Sequence, residues 1–463
     1  MQHNKHILLS TIAVIGLGKI GLPLAVQYAQ HGYTVLGCDI DSQVVESINA
    51  GISHVHEEAE LETGVPRLVH EGLLTATCDT TEAVRKSNVV VVIVPVAINA
   101  QHEVDFTTID AATTAMGAGL QPNTLVIYET TLPVGTTSKR LRFLLESISH
   151  LNATQDFYLA YSPERVSSGT IFHDLQAYPK IVGAIDERST AQSVAFYRSV
   201  LEANIIAMAS TDEAEFVKLI ETTYRDVNIA LANEYAQYAD THGLNVTTAI
   251  AAANTQPYSH IHTPGLGVGG HCIPVYPYFL FANPEDRKHQ QSEQHLLLPR
   301  QARSINDSMA HYAVKRIEAA VGSLIWRYVL ILGVTYRGDV RETAFTSAEP
   351  LHAALLQHGA QVYIDDPLFS ESELRSLGYT PLPQGFEREI EVIILQSAHQ
   401  SYRVLDFARF THCIGVLDGR GVLNREAIEA QGIRYITIGG GNVVKTPLRM
   451  PAHSVSATSA TKE

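Results

Sequence analysis

The sequence predicts an α/β fold: two Rossmann-like, doubly wound parallel-sheet domains joined by a long central helix and a helical middle domain. Three observations predict it. A strand, glycine turn, helix and strand follow one another near the N-terminus, a second apolar strand ends in glycine at Tyr328–Gly333, and Thr211 to Thr241 between them holds no glycine or proline. At 463 residues the chain exceeds one ordinary core, and a prior of about 150 residues per domain divides it into roughly three units.

Residues 11–39 read Thr-Ile-Ala-Val-Ile-Gly-Leu-Gly-Lys-Ile-Gly, an apolar helix pattern, then Thr-Val-Leu-Gly-Cys-Asp, which is a βαβ unit. Further apolar strands are expected at 88–94, 124–128 and 157–161, with helix-length polar segments between them, so the first domain spans 1–210. From Thr211 onward Phe216, Leu219, Ile220, Thr223 and Val227 recur at helical spacing, as one helix or two nearly continuous ones. Such a length links two domains or buries a face in a partner subunit. This central helical and dimerisation domain covers 211–322, its helical pattern resuming over 300–321. A nucleotide-binding-type domain over 323–445 follows, with strands expected at 328–332, 361–364, 391–395, 413–417 and 435–438 and a helix at 351–356. Residues 446–463, rich in Ser, Thr and Ala, read as a disordered tail.

Composition narrows the function. A hydrophobic content of 45% with 17% charged residues is that of a globular protein. The longest apolar run, around Val89–Pro95, falls short of the ~20 residues a membrane helix needs. The N-terminus, with His3, Lys5 and His6, enters a strand without the apolar segment of a signal peptide, which reads as cytoplasmic. Cys38, Cys78, Cys272 and Cys413 form no C-x-x-C pair, so no structural metal and no disulfide framework is expected, and Cys38, Cys78 and Cys413 are read as buried or inert. A formal charge of -15 argues against nucleic acid and anionic membrane as partners, and any anionic small substrate has to find local basic residues.

Two motifs carry chemistry on their residues alone. Gly16-Leu17-Gly18-Lys19-Ile20-Gly21 follows a strand and opens a helix, so the backbone can approach a pyrophosphate, and Asp39 stands 18 residues past Gly21 to accept from ribose hydroxyls. No arginine follows in Ile40-Asp41-Ser42 to accommodate a 2′-phosphate, so the cofactor is expected to be NAD rather than NADP. The second motif places Cys272 after Gly265, Gly267, Gly269 and Gly270. Its thiol could be packing, a metal ligand or a nucleophile, and glycine amides with a following helix N-terminus would favour the thiolate.

With these two motifs stand Tyr128-Glu-Thr-Thr131-Leu-Pro-Val-Gly-Thr, Tyr161-Ser-Pro-Glu164-Arg165-Val166 and the Ala214–Asn228 stretch. The five in this order resemble the nucleotide-sugar 6-dehydrogenases, a family that includes the UDP-glucose, GDP-mannose and UDP-N-acetylhexosamine dehydrogenases, from the dinucleotide turn to about residue 440. The resemblance implies two NAD-dependent oxidations of a sugar C6 alcohol to a carboxylate, through an aldehyde held by a cysteine and a thioester that water cleaves. Cys272 matches the nucleophile, Lys218 the catalytic lysine that stabilises oxyanions, Glu164 the water-handling carboxylate and Thr131 the threonine that orients that water. Val94, Pro95 and Thr131 fall on the cofactor side. Glu164, Arg165, Val166, Lys218, Thr222, Arg225, Asn228, Gly265, Gly269 and Tyr276 fall on the substrate side, with Arg337 and Arg341 as candidates for the diphosphate. Arg225 and Asn228 follow Lys218 by seven and ten residues and are expected on its helix face. A homodimer or higher oligomer is implied.

The chain departs from the family in four places, one of them Tyr336-Arg337-Gly-Asp-Val-Arg341-Glu-Thr, which stands where a longer Tyr-Lys to Arg-Glu-Ser segment is usual. Tyr276 stands where an aspartate assigned to hydrolysis is usual, and a phenol is only about one part in a thousand ionised at neutral pH, so Tyr276 is expected to shape the pocket. Thr222 replaces an asparagine, and Val94-Pro95-Val96-Ala97 replaces Val-Pro-Thr-Pro. Gly-Gly-His271-Cys272 looks like the UDP-N-acetylhexosamine branch, with a UDP- or dTDP-glucose enzyme of secondary metabolism as the alternative. A non-catalytic NAD sensor and a two-electron hydroxy-acid dehydrogenase are the readings from other classes.

Overall fold

Valine at four successive positions, 89–92, is buried on both faces, as a central parallel strand requires. In the computed structural model, which describes residues 11–282 and 296–441, these valines are the fourth of ten strands that precede the central helix. They are β1 (Thr11–Ile15), β2 (Thr34–Cys38), β3 (Leu74–Thr77), β4 (Val89–Val92), β5 (Ala97–Ile98), β6 (Val104–Asp105), β7 (Leu125–Tyr128), β8 (Tyr158–Tyr161), β9 (Lys180–Ala184) and β10 (Ile205–Ala207). Eight form one sheet in the order β10-β9-β8-β7-β4-β1-β2-β3, and β5 pairs antiparallel with β6. Residues 1–10 and the tail expected over 446–463 lie outside the described residues.

The sheet is parallel except where β8 meets β9. Beyond β8 the chain runs through an irregular segment and only a seven-residue helix, Ile171–Ala177, and returns antiparallel instead of crossing over. The strands reverse their order of filling between β1 and β4. Gly16 follows β1 and Val94-Pro95 follow β4, so both lie at the topological switch point where doubly wound sheets bind ligands.

A second sheet holds β11 (Tyr328–Leu332), β12 (Gln361–Asp365), β13 (Val392–Leu395), β14 (Gly415–Asp418) and β15 (Arg434–Thr437), all parallel, in the order β12-β11-β13-β14-β15. Its switch point lies between β11 and β13, which places the loop with Arg337 and Arg341 there. Each sheet is covered on both faces. In the first, Val14, Val91 and Ile127 pack to one side and Val90, Val126 and Leu159 to the other. In the second, Ile331, Ile394 and Leu417 oppose Leu330, Ile393 and Val416.

The helix expected from Thr211 is a single one, Thr211–His242, opened by Asp212 and Glu213 in its first turn, where acidic side chains suit the helix dipole. The chain divides into two compact units within this helix: Met1–Thr222 with Val275–His295, and Thr223–Pro274 with Leu296–Glu463. Cys38 and Cys413 are buried, and burial pushes each thiol up to about 12. Of the three cysteines read as buried or inert, Cys78 is not buried: it follows β3 where the chain leaves the sheet and is exposed. Among the described residues no helix is long and apolar enough to cross a membrane.

Candidate active site

The glycine turn of the first unit is built to bring backbone close to a ligand. Gly16 has φ +93°, and a Cβ there would lie 3.0 Å from the Ile93 carbonyl oxygen beside the switch point. Gly21 is packed so tightly that a Cβ would meet the Gly16 carbonyl at 1.9 Å, whereas nothing lies within 4 Å of a Cβ at Gly18. That open position beside helix amides fits a pyrophosphate. Asp39 accepts from the Leu17 amide at 2.9 Å and the Asp41 amide at 3.0 Å, so one carboxylate ties the turn to β2 while keeping lone pairs for ribose hydroxyls. Lys19 pairs with Glu57 at 3.0 Å, and Ile20 packs against the core. These residues fit NAD.

Thr131 and Lys218 are both buried, at 7% and 8% exposure, and neither side chain makes a hydrogen bond or ion pair among the described residues. Their polar atoms are thus free to meet a substrate or water. Thr131 lies on a loop locked to the central helix by Glu215, one turn before Lys218. The carboxylate accepts from the Gly135 amide at 2.6 Å and from the amide and hydroxyl of Thr137 at 2.8 and 2.7 Å. Thr130 Oγ1 donates to the Val94 carbonyl at 2.7 Å and joins this loop to the end of β4, with Pro95 exposed beyond. Glu164 is 10% exposed and fully partnered: Lys180 donates to Oε2 at 2.8 Å, and the amides of Arg165 and Val166 donate to Oε1 at 2.7 and 3.2 Å. Burial opposes its ionisation, but the Lys180 charge and these hydrogen bonds hold its pKa below the usual carboxylate value.

Several expected substrate residues are committed elsewhere. The Arg165 guanidinium forks onto Glu221 at 3.0 and 3.2 Å and donates to the Pro179 carbonyl at 3.1 Å, so it braces the Glu164 loop against the central helix. Thr222 donates its hydroxyl to the Lys218 carbonyl at 2.9 Å, within its own helix. Tyr276 opens the helix Tyr276–Phe281, its ring 5.2 Å from that of Phe279, in a cluster with Leu219 and Val275. Sequence reasoning missed the partner of Glu164. Lys180, 6% exposed, also donates to the fully buried Glu129 at 2.9 Å. A lysine opening an apolar strand and a glutamate ending one were the only signals.

In the second unit the glycine run before Cys272 is a close-packing device. A Cβ on Gly269 would lie 2.6 Å from Tyr336 Cβ and 2.9 Å from the Phe345 oxygen, one on Gly267 2.8 Å from Ser347 Oγ, and one on Gly265 3.4 Å from Arg420. The space beside Gly265 and Gly269 is thus filled by the chain itself. The Gly270 amide donates to the Ala344 carbonyl at 2.8 Å, and His271 reaches Glu342 at 3.4 Å. Cys272 is therefore half-buried on a loop pinned to the 336–347 segment. Asn228 is turned to the 260–262 segment, donating to the His260 carbonyl at 2.6 Å and accepting from the His262 amide at 3.0 Å. Ten residues are close to three turns but leave Asn228 about 80° around the helix from Lys218. Arg225 is exposed and makes no hydrogen bond or ion pair among the described residues. Arg341 pairs with Glu373, donates to the Leu368 carbonyl at 3.0 Å and lies 4.7 Å over the Phe369 ring, whereas Arg337 is exposed.

The second sheet repeats the layout of the first. Gly333 ends β11 with φ +94°, Gly338 follows at the spacing that separates Gly16 from Gly21, and the Val334 amide donates to Asp366 at 2.7 Å as Leu17 does to Asp39. Thr335 takes the place of Gly18. Its hydroxyl is bonded to Ser397 at 2.8 Å and His399 at 3.1 Å, so this turn does not offer the bare backbone of the first.

Burial pushes up five carboxyls, Glu58 and Asp365 among them, and three move furthest: Glu129 to about 7, where Lys180 opposes the shift and Glu164 adds to it; Glu215 to about 8 against its three hydrogen bonds; and Asp226 to about 6 against Arg303 and Asn306. A carboxyl raised above its unfolded value contributes stability that is complete below that value and is lost as pH rises through the folded one. Glu164 is shifted down and Lys180 up, so their contributions change outside this window. The thermal midpoint is therefore expected to fall from about pH 5 to about pH 8, each carboxyl contributing up to about 1.4 kcal/mol per pH unit between its two pKa values. A midpoint that rises over this range in thermal melts would contradict the burial argument.

The chain is 34% identical over 443 residues to the UDP-N-acetyl-D-mannosamine dehydrogenase of Pyrococcus horikoshii, covering 93% of this chain and all of that one, and 30% identical over 430 residues to that of Escherichia coli K12, covering 89% and 99%. The solved structure of the Pyrococcus horikoshii enzyme superposes with a TM-score of 0.83 at 32% identity, over 93% of this chain and 99% of that one. A UDP-glucose dehydrogenase from Pyrobaculum islandicum superposes at 0.82 and 26%, over 94% and 99%. Residues 10–201, 212–308 and 330–425 match in order the NAD binding, central and UDP binding domains of one family, and the chain belongs to that family, the UDP-glucose/GDP-mannose dehydrogenases.

Proposed function

We propose that the chain oxidises the C6 alcohol of a UDP-N-acetylhexosamine, with UDP-N-acetyl-D-mannosamine as the first candidate, to the carboxylate in two NAD-dependent steps. The observation that carries this reading is Lys218 with Thr131. Two buried residues whose polar side chains make no hydrogen bond or ion pair among the described residues stand in a chain that is similar over 93% of its length to a UDP-N-acetyl-D-mannosamine dehydrogenase. NAD, when bound, accepts the hydride of each oxidation. The turn at Gly16–Gly21 holds its pyrophosphate on backbone amides, and Asp39 takes the ribose hydroxyls and disfavours a 2′-phosphate.

Cys272 adds through sulfur to the C6 aldehyde, and the resulting thiohemiacetal is the species oxidised to a thioester. Lys218 stabilises the oxyanions that form at C6. Glu164 and Thr131 hold the water that cleaves the thioester, which returns the thiol and releases the acid. Arg337 and Arg225 are the cations proposed for the diphosphate. Phe216, Ile220, Tyr224, Leu231, Tyr235 and Tyr238, each at least 39% exposed along the central helix, support a homodimer through that helix. The proposed compartment is the cytoplasm.

The test is a panel of UDP-, GDP- and dTDP-sugars with NAD, counting NADH per sugar consumed. Two NADH with UDP-N-acetyl-D-mannosamine are expected. One NADH would indicate a reaction that stops at an aldehyde or ketone, and none with any sugar would favour the sensor.

A further inference from the structure

Glu164 is one corner of a buried cluster of three charges. The Lys180 ammonium bridges Glu164 Oε2 at 2.8 Å and Glu129 Oε2 at 2.9 Å. Glu129 has no exposed side-chain surface. Tyr197 and Tyr28 donate to its Oε1 at 2.6 and 3.2 Å, and the Lys180 ammonium lies 5.1 Å over the Tyr197 ring. These groups come from five elements: the helix Gly21–Gln30 (Tyr28), the end of β7 (Glu129), the loop after β8 (Glu164), the start of β9 (Lys180) and the helix Glu187–Val200 (Tyr197). Together with the buried Tyr161 of β8, whose phenol also feels the Glu129 charge, they are the titratable and charged groups that face Glu129.

Two carboxylates on one ammonium leave a net negative charge that burial penalises. A single proton removes it, and the surroundings decide where that proton sits. Glu164 has two backbone amides and a margin of exposure to support its charge, while Glu129 has only phenols besides the shared ammonium. We propose that Glu129 and Lys180 are positioning residues for Glu164: Lys180 clamps the Glu164 carboxylate, and a proton on Glu129 lets that one ammonium serve one anion instead of two. Loss of the proton to solvent shares Lys180 between two anions, loosens the clamp and makes Glu164 the stronger base. The inference rests on the reading of Glu164 as the water-handling carboxylate.

The first arm of the experiment needs no substrate. Infrared difference spectra of the full-length protein between about pH 6 and about pH 8 report carboxyl groups that lose a proton in that range. Glu215 and Asp226 contribute their own signals, so the Glu129 signal is the part missing from Glu129→Gln. The wild type is expected to lose one carboxyl proton more than this variant. Lys180→Met should move that loss to higher pH and Glu164→Gln to lower pH, shifts that a merely structural role would not produce. The second arm is turnover, in which Glu129→Gln should flatten the change of kcat between about pH 6 and about pH 8, and Lys180→Met should lower kcat about 10-fold or more with KM changed less. Thermal melts confirm that each variant is folded. Equal proton loss in wild type and Glu129→Gln, or a signal unmoved by Lys180→Met, overturns the proposal whether or not a sugar turns over. The expected infrared shifts without turnover on any sugar support the clamp and overturn the substrate reading instead.

Discussion

Replacing Cys272 by alanine is expected to abolish formation of the acid, with kcat for the complete oxidation falling on the order of 10⁴-fold or more. The second oxidation needs an acyl carrier, and of the four cysteines only Cys272 combines partial exposure with a loop held in place by other segments. Cys38 and Cys413 are buried with raised pKa values, and Cys78 is exposed just past β3. The Cys272 loop owes its rigidity to backbone and glycine contacts, namely Gly270 to Ala344 and the close approach of Gly269 to Tyr336, which the substitution leaves in place. The loss should therefore be chemical, visible as unchanged binding of the nucleotide sugar with no carboxylate in the product. An alanine variant that still delivers acid at a tenth of the wild-type rate would end the thioester reading.

Replacing Lys218 by methionine is expected to cost about 10²- to 10³-fold in kcat, the loss seen when one donor to a developing oxyanion is removed. Methionine keeps the length and apolar body of the side chain, so packing in the buried stretch beside Leu219 is largely preserved. What disappears is a charge that no neighbour among the described residues neutralises. An internal ion pair would already have spent it, as Arg165 is spent on Glu221 and Arg341 on Glu373. Steady-state kinetics separate the alternatives, because a loss carried by KM with kcat intact would make Lys218 an anchor for the diphosphate.

Most of the fold was legible because burial leaves a period in the sequence. The valines of β4, the apolar strand at Tyr328–Leu332 and the central helix were each readable from their own residues. The antiparallel return of β9 was not, because the direction of a strand depends on how the connection packs, and the seven residues of Ile171–Ala177 do not announce it. The glycines before Cys272 read as amides that favour a thiolate, whereas they are also absences of side chains that let Tyr336, Phe345 and Ser347 approach. The pattern was visible, but its cause lay some 70 residues away.

By itself the sequence determined the two nucleotide-type sheets, the glycine turn with Asp39 at the first switch point, and the kinds of residue available for chemistry: one thiol on a glycine-rich loop, a lysine on a long helix and a carboxylate in a loop. Those follow from local period and spacing. Only the tertiary structure decided which polar side chains are spent: Arg165, Thr222, Asn228 and Arg341 are committed to their own chain, and Lys218 and Thr131 have no side-chain partner among the described residues. It alone also brought Lys180 between Glu129 and Glu164, 51 and 16 residues apart from it in sequence. The physical reason is that charge and hydrogen bonding depend on neighbours in space and on the loss of water. Both are set by packing, and neither leaves a period in the chain.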